Sequence, residues 1–156
     1  MRISEILNEQ MVLTDLQGNS KEDVINALVD LIGSSTKVLD KEKVRKAIFD
    51  REKLMSTGVG NGFAIPHGKT DAVTDIVAAF AVTAEPIDFD AMDKKPVRLV
   101  FLLVGKDNMV GPHIKLLSRI SRLMTKEQFR TKLLGLRSTN DILETFRQEE
   151  ASYFDS

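Results

Sequence analysis

The chain has 156 residues, enough for one well-packed core, and no repeat, low-complexity tract or linker divides it, so we expect a single domain over 1–156. Its 22 Lys and Arg residues nearly balance 23 Asp and Glu residues, and the formal net charge of −1 argues against a nucleic-acid partner. The absence of cysteine excludes disulfides, thiolate metal sites and cysteine nucleophiles. Because neither a signal-peptide core nor an apolar run of membrane-spanning length is present, we expect a cytoplasmic protein that does not insert into a membrane.

Two amphipathic helices are predicted in the first third of the chain. The spacing predicts a helix over 20–33, because Ser20 can cap its first turn and apolar residues then recur at helical spacing. A second helix is predicted from Asp40, where an apolar stripe begins. The stripe consists of Val44, Ala47 and Ile48. The same spacing gives Arg51 and Met55 as its next positions, so a charged side chain is predicted on an otherwise apolar face.

Strands are predicted in the middle of the chain. The runs at 76–83 and 97–104 are short and strongly apolar, which is typical of buried strands. Shorter strands are predicted at 12–13 and within 56–59. With helical patterns before and after these strands, the sequence predicts an α/β sandwich in which helices flank a small central sheet.

Three further helices are predicted after the second apolar run. The first begins at 111–112, with Pro112 in the first helical position, where its missing N–H costs nothing. Thr125 and Gln128 have the spacing of a capping box, which predicts a second helix. Ser138, with Asp141 three residues later, predicts the start of a third.

The segment 56–70, STGVGNGFAIPHGKT, is rich in glycine but fits no nucleotide-binding motif. Neither register of its glycines completes G-x-G-x-x-G, and Gly68-Lys69-Thr70 lacks the preceding glycine of a Walker loop. Two histidines without cysteine argue against a zinc site, and no Gly-x-Ser-x-Gly elbow supports acyl transfer. Neither a metal nor a cofactor is therefore predicted. The backbone N–H groups of the segment remain candidates for an anion-binding nest.

Three side chains are candidates for a functional site, each with an ordinary structural alternative. Arg51 either extends its head group to water from the edge of its stripe or faces a partly buried anion, which its planar fork suits. His113 begins an apolar stripe at a helix N-terminus, where it is either a boundary residue or the neighbour of a bound anion. His67, set between Pro66 and Gly68, is either part of a simple turn or a histidine presented to a reacting group.

Taken together, these residues combine two histidines and an arginine without a pair of carboxylates. This inventory suits a neutral imidazole that attacks phosphorus, with hydrogen-bond donors around the transferred group. Phosphoryl transfer needs little proton chemistry from the protein beyond positioning and charge stabilisation. We expect Arg51 and His113 to converge on His67 from two helices, at an exposed and shallow site.

The same residues carry a family resemblance that spans nearly the whole chain. The chain resembles the IIA component of the bacterial phosphotransferase system (PTS), fructose/mannitol type, and within it the nitrogen-regulatory IIA proteins. The stretches that carry the resemblance are REKLMSTGVGNGFAIPHGK (51–69), PIDFDAMDKKPVRLVFLLV (86–104) and GPHIKLLSRISRLM (111–124). The resemblance implies an α/β sandwich with a mixed sheet, phosphorylation of His67, and a pocket shared with Arg51 and His113. The loop residues expected around the phosphoryl group are Ser56, Thr57, Gly58, Gly60, Asn61, Gly62 and Gly68.

The resemblance also implies partners. A histidine-containing phosphocarrier protein would donate the phosphoryl group, and a IIB domain or regulatory proteins would respond to it. No IIB-like cysteine loop or membrane segment follows in the sequence, so we expect that this chain does not complete sugar transport by itself. That expectation favours a regulatory role, and the IIA subunit of a fructose- or mannitol-type transporter stays as the alternative.

Overall fold

The computed structural model describes residues 1–154, in which helices and strands are mixed along the chain. The helices are α1 (Ile3–Ile6), α2 (Lys21–Ile32), α3 (Lys41–Leu54), α4 (Val110–Met124), α5 (Glu127–Gly135) and α6 (Thr139–Phe154). The strands are β1 (Val12–Leu16), β2 (Gly58–Gly60), β3 (Phe63–Ala64), β4 (His67–Lys69), β5 (Val77–Ile87) and β6 (Val97–Gly105). Within residues 1–154, no helix combines the length and the apolar character needed to cross a bilayer. Asp155 and Ser156, the end of the domain expected over 1–156, lie outside the described residues.

The strands form one mixed sheet with the order β1-β5-β6-β3-β2, and β4 also pairs with β6. β5 and β6 are antiparallel, whereas β1 runs parallel to β5, and both β3 and β4 run parallel to β6. The predicted α/β sandwich with a small mixed sheet is confirmed, and the two apolar runs are its central strands. β5 continues beyond the predicted run because Ile87 pairs with Val97 after an irregularity in the register.

Aromatic packing joins the sheet to its C-terminal helices. Phe80 and Phe101 lie opposite each other in the register of β5 and β6, with ring centroids 6.0 Å apart. Phe146 of α6 packs edge-on against both rings, at 5.1 and 5.9 Å, and Phe129 of α5 packs against Phe146 at 5.3 Å. All four rings are buried. The face of the sheet that carries Phe101 is therefore covered by α5 and α6.

The register of β4 sends two adjacent residues to opposite faces of the sheet. His67 pairs with Leu103, two residues beyond Phe101, so its side chain lies on the face that carries Phe101. Gly68 pairs with Val104 and lies on the other face, where a Cβ would come within 3.3 Å of the Ala47 backbone in α3. The sheet thus separates α3 from the helices that face His67.

Three predicted helix starts, at Ser20, Asp40 and Ser138, are confirmed by capping hydrogen bonds. The Ser20 hydroxyl oxygen accepts from the Asp23 N–H at 3.1 Å, and the Ser138 hydroxyl oxygen accepts from the Asp141 N–H at 3.3 Å. Asp40 likewise accepts from backbone N–H groups in the first turn of α3. Each cap satisfies a donor that the helix itself leaves free, which is why these local signals are readable in the sequence.

Two other predicted helix signals are wrong. α4 begins at Val110, so Pro112 is its third residue, although it still lies in the first turn, where no intrahelical bond from its nitrogen is needed. Thr125 does not cap α5. Its hydroxyl donates to the Arg122 carbonyl at 2.7 Å and the residue ends α4, while α5 begins after Lys126 without a side-chain cap.

Candidate functional site

A cavity of about 230 Å³ opens beside His67, where the end of α3, the strand β2 and the helix α4 meet. It is lined by Arg51, Ser56, Thr57, Gly58, Val59, Ile65, His67, Met92, Leu117 and Ser121. Among these lining residues, all within 1–154, none is Asp or Glu. A larger cleft of about 670 Å³ beside Phe154 contains none of the predicted site residues. The smaller cavity is therefore the candidate site, and the positive charge of Arg51 in its lining favours an anion.

The ring of His67 is oriented by one hydrogen bond. Its Nδ1 lies 2.8 Å from the carbonyl oxygen of Ile65, and a carbonyl only accepts, so Nδ1 carries the proton. Burial lowers the pKa of His67 below its ordinary value of 6.5, the Ile65 hydrogen bond raises it, and the nearby charge of Arg51 lowers it. The ring is therefore neutral at pH 7, and its Nε2 keeps a free electron pair.

His113 packs directly behind His67. The ring centroids are 5.8 Å apart, and His113 is only 3% exposed, without itself lining the cavity. Within residues 1–154, neither of its ring nitrogens has a hydrogen-bond partner. Burial first, and then the charges of His67 and Lys69, lower its pKa from 6.5 to about 4. The helix α4 thus holds a neutral imidazole with unused hydrogen-bonding capacity against the first histidine.

This buried histidine makes stability depend on pH. Since its pKa is lower in the folded protein, the unfolded chain binds the proton first as the pH falls. We expect the stability that His113 contributes through its neutral form to be complete above pH 6.5 and to be lost as the pH falls towards about 4. The free energy of unfolding should fall by about 3 kcal/mol in total. Urea unfolding at about pH 7.5 and about pH 4.5 should show a smaller pH effect in His113→Leu than in the wild type. Equal pH effects would contradict the assignment.

Arg51 reaches the cavity from the last turn of α3. Its guanidinium donates to the Met55 carbonyl at 2.8 Å, which leaves other N–H groups of the fork for a ligand. The structure therefore brings both Arg51 and His113 close to His67. Arg51 comes from α3 on one face of the sheet, and His113 comes from α4 on the other. Met55, predicted on the same stripe, instead follows the end of α3 and is 62% exposed, because the helix stops at Leu54.

The segment Ser56–Gly58 forms one wall of the cavity, but the N–H groups of Thr57 and Gly58 are already used. The Thr57 N–H donates to Glu52 at 3.0 Å, and the Gly58 N–H donates to the Ser56 hydroxyl oxygen at 3.0 Å. The Ser56 hydroxyl in turn donates to the Phe89 carbonyl. The predicted anion nest is therefore not formed by these groups in this structure.

The remaining predicted loop residues lie away from the cavity. Gly60, Asn61 and Gly62 make the turn between β2 and β3, all with positive φ (122°, 56° and 81°), and the Asn61 N–H donates to Asp93. This turn needs their conformational freedom. Gly68 faces α3, where a Cβ would come within 3.3 Å of the Ala47 backbone, and it is not among the residues that line the cavity.

Sequence reasoning also missed residues that line the cavity. Leu117 and Ser121 follow His113 at helical spacing, four and eight residues on, so the periodicity of α4 could have found them. Met92 arrives on a connection between β5 and β6, where its N–H donates to the Gly58 carbonyl at 3.3 Å. No local pattern in the sequence predicts that contact.

Gly105 sets the space available to His113. A Cβ on Gly105 would lie 2.6 Å from Nδ1 of His113, closer than real Cβ contacts allow. We expect Gly105→Ala to push the buried ring aside and to lower the free energy of unfolding by about 1–3 kcal/mol. Gly111→Ala is the control, because a Cβ there meets no atom within 4 Å. Equal urea midpoints for the two variants would show that the ring is not tightly confined.

Comparison with known proteins places this arrangement in a family. The family model for the phosphoenolpyruvate-dependent sugar phosphotransferase system, EIIA 2, matches residues 5–149. A fructose-specific EIIA component of the PTS from Haloferax volcanii is 39% identical over 140 residues, which are 90% of this chain and 91% of that protein. A fructose-specific EIIABC component from Bacillus subtilis is 32% identical over 150 residues, which are 96% of this chain but 24% of that longer protein.

The solved structures agree with this placement. Nitrogen regulatory protein IIA-Ntr from Neisseria meningitidis superposes with a TM-score of 0.87 at 34% identity, over 92% of this chain and 98% of that one. The resemblance found in the sequence is thereby confirmed: the family model matches, and proteins named fructose-specific EIIA and nitrogen regulatory protein are both among the similar proteins. The chain belongs to the EIIA 2 family of the phosphoenolpyruvate-dependent sugar phosphotransferase system.

Proposed function

We propose that His67 accepts a phosphoryl group, through Nε2, from the phosphohistidine of a histidine-containing phosphocarrier protein. The observation that carries the proposal is the hydrogen bond from Nδ1 to the Ile65 carbonyl, which leaves Nε2 as the nucleophilic atom beside a cavity whose lining, among residues 1–154, includes no carboxylate. The bond from Nε2 to phosphorus forms as the N–P bond of the donor histidine breaks, and the donor ring keeps the electron pair.

The surroundings of His67 suit the charges that develop in this step. The ring becomes more positive as Nε2 bonds to phosphorus, and the Ile65 carbonyl stabilises the proton on Nδ1. Arg51 balances the negative oxygens of the group in transit, and the neutral ring of His113 packs against the ring of His67 and supports it from behind. The Ser56–Gly58 wall shapes the approach to His67, and no cofactor takes part.

Direct transfer between two histidines requires that a protein can dock over the cavity. Val59 and Met92, both lining the cavity, are 45% and 76% exposed, so its rim presents apolar side chains to a partner. Exposed apolar side chains around a reactive group are typical of protein-binding surfaces. A cytoplasmic location, where phosphocarrier proteins act, is part of the proposal.

A reconstituted transfer assay tests the proposal. The protein is incubated with phosphoenolpyruvate, the general phosphotransferase enzyme and the phosphocarrier, and phosphate incorporation is followed by mass spectrometry. We expect one phosphoryl group per chain, stable in alkali and lost in acid, as for a phosphohistidine. No incorporation under conditions that phosphorylate the carrier would contradict the proposal.

The role of the phosphorylated protein is proposed to be regulatory, of the nitrogen type. The support is the likeness to IIA-Ntr from Neisseria meningitidis over nearly its whole length. A phosphoryl group adds about −1.5 to −2 charges at pH 7, enough to change which protein docks on the rim of the cavity. The alternative, transfer to a separate IIB domain of a sugar transporter, is favoured by the fructose-specific relative from Haloferax volcanii.

The two roles predict different results with the same phosphorylated protein. A regulatory protein should bind partners whose identity changes between the phosphorylated and unphosphorylated forms in a quantitative pull-down. A transport component should pass its phosphoryl group rapidly to a purified fructose-type IIB domain. A gene for a IIB/IIC transporter beside this one would support the transport role, whereas neighbouring regulatory genes would support the other.

A further inference from the structure

A buried carboxylate stands behind the site and has no part in the proposed chemistry. Glu52 lies in the last turn of α3 and is 6% exposed. Its Oε1 accepts from the Thr57 N–H at 3.0 Å and from Lys21 Nζ at 3.1 Å, and its Oε2 accepts from the Thr57 hydroxyl at 2.6 Å. Burying a carboxylate is costly unless its oxygens are satisfied, and here both are.

The contacts of Thr57 continue to the reactive ring. The Thr57 carbonyl accepts from the Ile65 N–H at 3.0 Å, and the Ile65 carbonyl accepts from Nδ1 of His67 at 2.8 Å. Glu52 is thus joined to His67 by a chain of hydrogen bonds that passes through Thr57 and Ile65. Glu52 does not line the cavity, whereas Thr57, Ile65 and His67 all do.

Lys21 lets the carboxylate sit close to an anion-binding cavity. Its ammonium lies 3.1 Å from Glu52, with a side chain only 15% exposed, and 3.6 Å from the exposed carboxylate of Asp90. A largely buried ion pair of this kind leaves little net negative charge to repel a phosphoryl group. The carboxylate can therefore act through its hydrogen bonds to Thr57.

The geometry points to Glu52 as a positioning residue for phosphoryl transfer, which fixes the ring of His67 through Thr57 and Ile65. This inference rests on the proposed function of His67. Without the carboxylate, Thr57 loses the acceptor of its N–H and its hydroxyl, the Ile65 peptide is less firmly held, and Nδ1 loses a fixed acceptor. Misplacement of a nucleophile by about 1 Å can cost about 10²-fold in rate. Loss of Glu52 should therefore lower the rate of turnover rather than weaken the binding of the partner.

Kinetics of three variants test the inference. At saturating phosphocarrier, we expect Glu52→Ala to lower kcat by at least about tenfold, with a KM within about twofold of the wild type. Glu52→Gln, whose amide oxygen still accepts from the Thr57 N–H, should recover to within about threefold of the wild-type kcat. The matched control is Glu150→Ala. Glu150 is 1% exposed, accepts from the N–H groups of Ile3 and Ser4, and pairs with Arg119 of α4 at 3.6 Å, but neither Glu150 nor Arg119 is among the residues that line the cavity.

A spectroscopic readout separates positioning from general loss of structure. In nitrogen-15 NMR of the unphosphorylated protein, we expect the fraction of His67 protonated at Nδ1 to fall in Glu52→Ala but not in Glu150→Ala. Rates are normalised to the folded fraction measured by circular dichroism. The inference is overturned if Glu52→Ala keeps kcat within about twofold, or if Glu150→Ala loses as much. Failure of the proposed function itself is a different result: in the same assay, the wild type would accept no phosphoryl group.

Discussion

His67→Asn is expected to abolish phosphoryl acceptance in the reconstituted assay, with a loss of at least about 10⁴-fold in rate. The asparagine amide can still donate to the Ile65 carbonyl, as Nδ1 does now, but no atom replaces Nε2 as a nucleophile. The substitution thus removes the reacting atom while it keeps the local hydrogen bond. The rate is measured as phosphate incorporation per folded chain.

Two controls accompany this variant: its stability to urea, and the phosphorylation of a variant of the second histidine. We expect the urea midpoint of His67→Asn to stay close to that of the wild type, because the side chain is only partly buried. His113→Gln should still be phosphorylated, at a reduced rate, since His113 is proposed to assist rather than to react. Phosphorylation of His67→Asn at the wild-type rate would assign the reaction to another residue.

Arg51→Ala is expected to slow transfer by about 10²–10³-fold, the usual loss when one fixed donor to a developing negative charge is removed. The same guanidinium donates to the Met55 carbonyl at the end of α3, so a loss of about 1 kcal/mol in the free energy of unfolding is expected as well. The transfer rate of Arg51→Lys should fall between those of Arg51→Ala and the wild type, because an ammonium keeps the charge but not the planar fork of the guanidinium. Single-turnover transfer rates and urea unfolding measure the two effects separately.

Lys53→Ala is the matched control for the arginine. It removes a positive charge from the same turn of α3, but Lys53 is exposed and does not line the cavity. We expect its transfer rate to stay within about twofold of the wild type, since an exposed charge is strongly screened. A large loss of stability in Arg51→Ala with normal transfer would instead make Arg51 a structural residue.

The parts of the site that were predictable from the sequence depend on local periodicity. Helical spacing gave Arg51 an inward position in α3 and His113 a position at the start of the stripe of α4, and both side chains lie beside His67 in the structure. The caps at Ser20 and Ser138 are local as well, because each bonds to a residue only three positions away. Such signals need no knowledge of distant contacts.

What could not be predicted depends on contacts between distant segments. β4 has three residues and exists because it pairs with β6, some 36 positions along the chain, so nothing near His67 indicates a strand. Gly68 is adjacent to His67, yet the atoms that a Cβ at this position would crowd belong to the backbone of α3, on the other face of the sheet. The bond from Thr57 to Glu52 spans only five residues, but it requires the chain to turn back at the end of a helix.

The identity of the phosphorylated atom tests the central claim most directly. Protein labelled with nitrogen-15 in its histidines is phosphorylated through the carrier, and the coupling between phosphorus and the ring nitrogens is recorded by NMR. The account predicts coupling to Nε2 of His67, with the proton retained on Nδ1 where the Ile65 carbonyl holds it. Coupling to Nδ1 of His67, or to either nitrogen of His113, would contradict it.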